Sequence, residues 1–332
     1  MGLQELMRVS KAARGITWLR ASLQHAVQLE FSTIPPYLCA MWSIQNGVNA
    51  HGIIESVVMQ EMLHMGLACN MLAAVDGTPR IEDPDFVPDY PCELPGHVRP
   101  GLYVGLVGLY RELVRDVFMQ IEYPENGPVP IQPMMFETSR SYATIGEFYD
   151  AIREVFHALS PHISVERQLV SAGVHLKQLP NLAAVDCAIE QIKVQGEGTD
   201  QSPFEVPFAE KELAHYYRFM QIVVGKNIVQ GADRKAHWDD SSSVPFPEVY
   251  PMAMVPKGGY APELTRCFNE QFSAVLNFLQ GAWQIGGSAG QAKLTDAITA
   301  MRNLQKPAIA LMKQPIQPQS GRGNYGPDFR LL

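Results

Sequence analysis

The chain of 332 residues is 46% apolar and carries a net charge of −8. That is ample for a large core in one or two domains, and its charges are spread too evenly for a nucleic-acid or anionic-membrane surface. No apolar stretch approaches the roughly 18–20 residues that span a bilayer, the N-terminal MGLQELMRVSKAARG lacks a signal-peptide core, and five scattered cysteines without a CxxC pair read as reduced thiols in the cytoplasm.

Helix signals dominate. The first helix is predicted from Ile16 to Ile44, with the 3.6-residue stripe Leu19, Leu23, Ala26, Val27, Glu30, Ile34, Tyr37, Met41. Pro35 and Pro36 cannot donate to the backbone ladder and should interrupt it. The second runs from Gly52 to Val75 on the stripe Ile54, Val57, Val58, Glu61, Met65, Ala68, Leu72, and Gly77-Thr-Pro79 ends it. In both, a carboxylate sits inside an apolar face. Cys39, Cys69 and Cys187 lie in apolar helical stretches and are expected in the core.

Residues 76–103 are proline-rich and irregular. A helix over Val107–Ile121 stops at Glu122-Tyr-Pro124, and 123–143 form a second proline-rich loop. Ile145–Leu159 reads as a helix on Phe148, Ile152, Phe156 and Leu159. A helix over Leu182–Gln195 ends in Gly196-Glu197-Gly198, and the next, Phe208–Val224, carries Phe208, Glu212, His215 and Phe219 on one side. After loop-like residues 230–262, two helices fit Glu263–Ile285 and Ala292–Lys313 around a glycine-rich turn.

Three Glu-x-x-His strings occur, and they differ in their surroundings. Residues three apart on a helix share a side, so each string can present a carboxylate and an imidazole together. Glu154 and His157 lie opposite their helix's apolar stripe, beside Asp150 and Arg153, and read as a solvated face. Glu61 and His64 are flanked by Val57, Val58, Met65 and Ala68, and no lysine or arginine lies between Gly52 and Thr78. Burying such a carboxylate alone costs several kcal/mol, and a metal cation is the economical compensation. Glu30 has the same apolar setting, and Glu212 and His215 form the second pair on one face of the predicted Phe208–Val224 helix. Two Glu-x-x-His helices plus one carboxylate from each of two others make a dinuclear carboxylate site in a four-helix bundle.

Glu197 is the preferred fourth carboxylate, with flanking glycines that allow close approach; Glu190, beside Asp186 and Lys193, is the alternative. Glu122 is expected either as an acid behind the ligands or as a turn cap. Four carboxylates and two neutral imidazoles balance two divalent cations, and oxygen and nitrogen donors suit Fe, Mn or Zn. The duplicated helix pattern leans towards iron.

Leu29-Glu-Phe-Ser-Thr-Ile-Pro-Pro-Tyr-Leu38, Glu61-Met-Leu-His-Met65, Thr144-Ile-Gly-Glu-Phe-Tyr149, Gln195-Gly-Glu-Gly198, Ala214-His-Tyr-Tyr-Arg-Phe219 and the closing Gly326-Pro-Asp-Phe329 resemble the ferritin-like family of the iminophenyl-pyruvate dimer synthase type. The match runs through most of the chain. Glu30, Glu61, His64, Glu197 and His215 fall on its motif positions, with Glu212 completing the second Glu-x-x-His. In violacein and rebeccamycin pathways such domains belong to larger enzymes that couple imines of aromatic amino acids; the large additional region of those enzymes is not found here.

The resemblance implies a mainly all-α, ferritin-like bundle over 1–230 with long Pro-rich loops, and a C-terminal helical extension over 231–332 packed on it. It implies a metal-dependent oxidoreductase of specialised metabolism, with two divalent ions held by Glu30, Glu61, His64, Glu197, Glu212 and His215. The expected partners are a small organic substrate and O2, with neither nucleic acid nor membrane; a homo-oligomer stays open. The loops 76–103, 123–143 and 230–262 would act as lids. Non-enzymatic metal storage is the alternative, although a storage subunit needs little beyond its four helices.

Overall fold

The computed structural model describes residues 3–95, 99–124, 127–129, 131, 145–198, 202–204, 212–316 and 323–332, apart from the side chains of Leu3, Gln4 and Glu197. In chain order its helices are α1 (Leu3–Arg8), α2 (Ile16–Ser43), α3 (Val48–Ala74), α4 (Arg111–Leu113), a π turn (Val114–Phe118), α5 (Met119–Ile121), α6 (Ile145–Leu159), α7 (Leu182–Glu197), α8 (His215–Val224), α9 (Pro262–Ile285), α10 (Gly287–Asn303) and α11 (Gln305–Met312). Three short antiparallel pairs accompany them: β1 (Ile44–Asn46) with β6 (Glu248–Val249), β2 (Cys92–Glu93) with β3 (Tyr103–Val104), and β4 (Ile228–Gln230) with β5 (Ala236–Trp238). The fold is mainly helical, as the sequence pattern requires. Among the described residues no helix is long and apolar enough to cross a membrane.

The α2–α3 hairpin is the centre of the molecule. Every residue of α2 from Leu29 to Ser43 is buried, and so is every residue of α3 from Leu63 to Ala74. A helix covered all round lies between two layers. On one side α3 packs against α7 and α8, α2 packs against α6, and the π turn and α5 rest on α8. On the other side the α9–α10 pair and α11 close over α2. Phe272 of α9 stacks on Phe31 at 6.3 Å, and Phe329 of the C-terminal tail stacks on Trp42 at 6.1 Å. The tail is pinned by buried Asp328, which accepts from the Asn269 amide at 2.8 Å, the Tyr260 N–H at 3.1 Å and the Thr265 hydroxyl at 3.2 Å.

Several features differ from the sequence expectation. α3 starts at Val48 rather than Gly52, and the single helix expected over Ala292–Lys313 is two, α10 and α11, with α10 beginning at Gly287 inside the expected glycine-rich turn. α2 runs through Pro35 and Pro36. Pro36 has no N–H to offer the Ser32 carbonyl one turn back, and the Tyr90 hydroxyl donates to that carbonyl instead, at 2.7 Å. The helix predicted from Val107 starts only at Arg111. Before it the chain is extended, with Gly108 N–H donating to the Met252 carbonyl, Val255 N–H to Leu106, and Leu109 N–H to the Ser43 hydroxyl. The helix predicted from Phe208 starts at His215, because Leu213 bridges Phe204 and Ala214 N–H donates to the Pro203 carbonyl at 3.0 Å. Residues 205–211, and most of the loop 123–143, lie outside the described residues. Cys39 and Cys69 are core residues, whereas Cys187 is exposed on α7.

Candidate metal centre

Two trios of buried side chains meet between α2, α3, α5 and α8. Glu30, Glu61 and His64 each offer a ligand atom within 4.8 Å of the others, and so do Glu61, Glu122 and His215. Glu61 belongs to both, so the five residues form one continuous cluster. Their exposures are 5% for Glu30, 3% for Glu61, 2% for His64, 6% for Glu122 and 0% for His215. Glu30 comes from mid-α2. Glu61 and His64, three apart, share a side of α3. Glu122 follows α5 directly, and His215 is the first residue of α8. The two imidazoles lie face to face, 5.6 Å apart at 24°.

Each carboxylate has its own hydroxyl donor. Tyr149 donates to Glu30 at 2.6 Å, Thr33 to Glu61 at 2.8 Å and Tyr37 to Glu122 at 2.6 Å. Each imidazole has its own glutamine: His64 Nε2 lies 3.0 Å from Gln195 Oε1, and His215 Nε2 lies 2.8 Å from Gln60 Oε1. The Gln60 orientation is chemically determined. Its other amide atom donates to the Glu212 carboxylate at 3.0 Å, and a carboxylate only accepts. Gln60 therefore turns its carbonyl to His215, and His215 Nε2 carries a hydrogen.

That leaves each Nδ1 facing carboxylate oxygens. His215 Nδ1 lies 2.9 Å from Glu61 Oε1 and 3.4 Å from Glu122 Oε2, yet is buried without an aligned hydrogen bond to either. His64 Nδ1 lies 3.5 Å from Glu30 Oε2 and 3.9 Å from Glu61 Oε1. A lone pair aimed at carboxylate oxygens is repulsive unless a cation or a proton lies between. Burial lowers the pKa of both histidines, but the carboxylates prevail: Glu30 and Glu61 raise His64, and Glu122 and Glu61 raise His215 to about 9. Glu61 is itself raised by burial and by Glu122, against the pull of both histidines. Burial first, and then the neighbouring carboxylates, push the Tyr37 and Tyr149 hydroxyls well above their usual range, so both stay protonated donors.

The donor set fits a pair of divalent ions. Glu30 and His64 face one position, Glu122 and His215 the other, and Glu61 lies between. Oxygen and imidazole donors without thiolate suit Fe, Mn or Zn.

Of the residues expected from sequence, Glu30, Glu61, His64 and His215 come together. Glu212 does not. The chain is extended at 212–214, so Glu212 and His215 do not share a helix face. Glu212 instead accepts from Arg218 at 2.6 Å and from Gln60. Glu197 ends α7, and its side chain lies outside the described residues. The backbone beside it reaches the cluster: a β-carbon on Gly196 would stand 3.7 Å from Glu122 Oε2. Gly198, in a left-handed conformation at φ +82°, turns the chain away where a side chain would press on Ala214 at 3.4 Å. Glu190 pairs with Arg153 at 2.9 Å. Glu154 pairs with exposed Lys11, and exposed His157 with Asp186. Glu122 is more central than expected, and its position at the end of an apolar helix was its signal. Gln60, Gln195 and Thr33 had none beyond sequence adjacency to other cluster residues or motifs.

Comparisons with known proteins agree with the fold. A family model described as Ferritin-like matches residues 23–224, which include every member of the cluster. A ferritin-like protein from Caulobacter vibrioides has a similar solved structure, with a TM-score of 0.64 at 21% identity, covering 95% of this chain and 97% of that one. No curated protein matches. The family match spans well over half the sequence and encloses the helices that carry the carboxylate–histidine cluster, and the chain accordingly belongs to the ferritin-like family.

Proposed function

We propose that this protein is a metal-dependent oxidoreductase with two divalent ions, preferentially iron, held by Glu30, Glu61, His64, Glu122 and His215. The observation that carries the reading is the orientation of the histidines. Both Nε2 atoms are engaged by glutamine carbonyls, and both Nδ1 atoms point among buried carboxylates. Redox-active ions at such a site supply activation of O2 and removal of electrons from an organic molecule. The chain's own residues provide the surroundings. Tyr37, Tyr149 and Thr33 fix the carboxylate rotamers, Gln60 and Gln195 fix the imidazole tautomers, and burial excludes bulk water. The motifs shared with the iminophenyl-pyruvate dimer synthase type support an amino-acid-derived imine as the substrate class. Glu197, one residue past Gly196, is the candidate to complete the charge balance.

Metal analysis tests the reading. Protein produced with iron and manganese supplied is expected to hold about two ions per chain. Glu61→Ala is expected to remove most of them and Glu154→Ala none. Fewer than about 0.2 ions per wild-type chain, far below one per site, or equal loss from both variants, would overturn it. A cage-sized particle on gel filtration that fills with many irons would point to storage.

A further inference from the structure

A cleft of about 720 Å³ opens between α3, α7 and the segment 173–179. That is within the size range of small-molecule sites, about 300–1,000 Å³. Its inner wall is apolar and buried, with Leu63 and Leu67 from α3, Ala188 from α7, and Leu179. Gln60 and Gln195 also line it. These are the two amides that hold the imidazoles, so the cleft lies on the Nε2 side of His64 and His215, opposite the carboxylates.

The charge of the lining is one-sided. Glu212 lines the cleft but is neutralised by Arg218 at 2.6 Å. Lys177, exposed at the rim, has no carboxylate partner among the described residues, and His175 stands two residues before it. The segment carrying Lys177 is fixed from below. Its carbonyl accepts from the fully buried Asn70 amide at 2.9 Å, and the Leu179 N–H donates to buried Gln168 at 2.6 Å. A cation on a pinned rim above an apolar, amide-bearing wall is complementary to a molecule with an apolar body and one negative group.

We infer that this cleft binds a small carboxylic acid with an apolar body, its carboxylate at Lys177 and its body against α3 and α7. The binding itself requires no metal. That the occupant is the substrate of the centre rests on the oxidoreductase reading, and would place it beyond the imidazoles, against Gln60 and Gln195.

Cys187 provides a local reporter. It is exposed and lines the cleft, whereas Cys267, also exposed, lies on α9 and does not. The experiment is alkylation of the metal-free full chain with iodoacetamide, followed by mass spectrometry, with naphthylacetate or its uncharged amide as probe. Naphthylacetate is expected to slow alkylation of Cys187 saturably and leave Cys267 unchanged. The amide should need a concentration about three- to fivefold higher for half-protection, the scale of one exposed ion pair. Lys177→Met should raise the acid's half-protecting concentration to that of the amide. Unchanged Cys187 alkylation in millimolar naphthylacetate, equal protection by acid and amide in the wild type, or no effect of Lys177→Met would each overturn the inference. Metal content, measured on the same preparation, stands or falls separately.

Discussion

At the scale of single residues, the centre depends on side chains that would touch no metal. Gln60 connects Glu212 to His215, so a residue expected as a ligand acts through an amide to set an imidazole's tautomer. Replacing Gln60 by Leu removes the Nε2 partner. Affinity for the ion facing His215 should fall about 10–100-fold, the usual cost of losing such a partner, while the ion facing His64 is retained; chelator competition would read both. The histidines also set a pH dependence. In the metal-free protein His215 has a folded pKa of about 9, above its ordinary 6.5. Its proton therefore stabilises the metal-free fold fully below pH 6.5, and that contribution is lost as pH rises through 9. Metal must displace the same proton, so apparent metal affinity should climb with pH towards 9 and then level. A titration releasing no protons at pH 7 would contradict this.

At the scale of elements, much was legible. Glu30, Glu61 and His64 were visible because a carboxylate in an apolar helix stripe with no nearby base has few explanations. The second half was legible only in part: His215 was expected and is there, but Glu212 was expected beside it and Glu122 stands in the cluster instead, because the helical register is broken. Glu212 and His215 have helical spacing in sequence, but the bridge from Leu213 to Phe204 holds the chain extended until His215. Strand-like pairing of one residue leaves no periodic signature. The π turn at Val114–Phe118, just before Glu122, is equally silent, since VRDVF reads as ordinary helix. The Pro35-Pro36 pair misled in the opposite direction. Proline argues for interruption, yet Tyr90, more than 50 residues away in sequence, takes over the Ser32 carbonyl. Tyr90→Phe should cost about 1–3 kcal/mol by leaving that carbonyl buried and unsatisfied. In a Pro36→Ala background, where residue 36 regains its N–H, the cost should shrink, and a double-mutant cycle in denaturant would measure the coupling.

At the scale of the molecule, the C-terminal helices and tail lie on the far face of α2, away from the cluster. Asp328 secures them through three hydrogen bonds, two to the buried Thr265 and Asn269 and one to the half-buried Tyr260 N–H. Asp328→Ala should lower the thermal midpoint by several degrees, as about 2–4 kcal/mol of satisfied hydrogen bonding is lost, without changing the ions bound per chain. A parallel loss of metal would show that the extension shapes the centre itself.

The position of the five cluster residues along the chain has a consequence for biogenesis. One trio, Glu30, Glu61 and His64, spans only 35 residues within a single helical hairpin, whereas the other waits for Glu122 and His215. A nascent polypeptide leaving the ribosome therefore brings out the three side chains of one trio long before those of its neighbour, while Tyr149 and Gln195, which orient Glu30 and His64, emerge later. On the proposed dinuclear reading, neither position has all its surroundings until α6, α7 and α8 have docked on the hairpin.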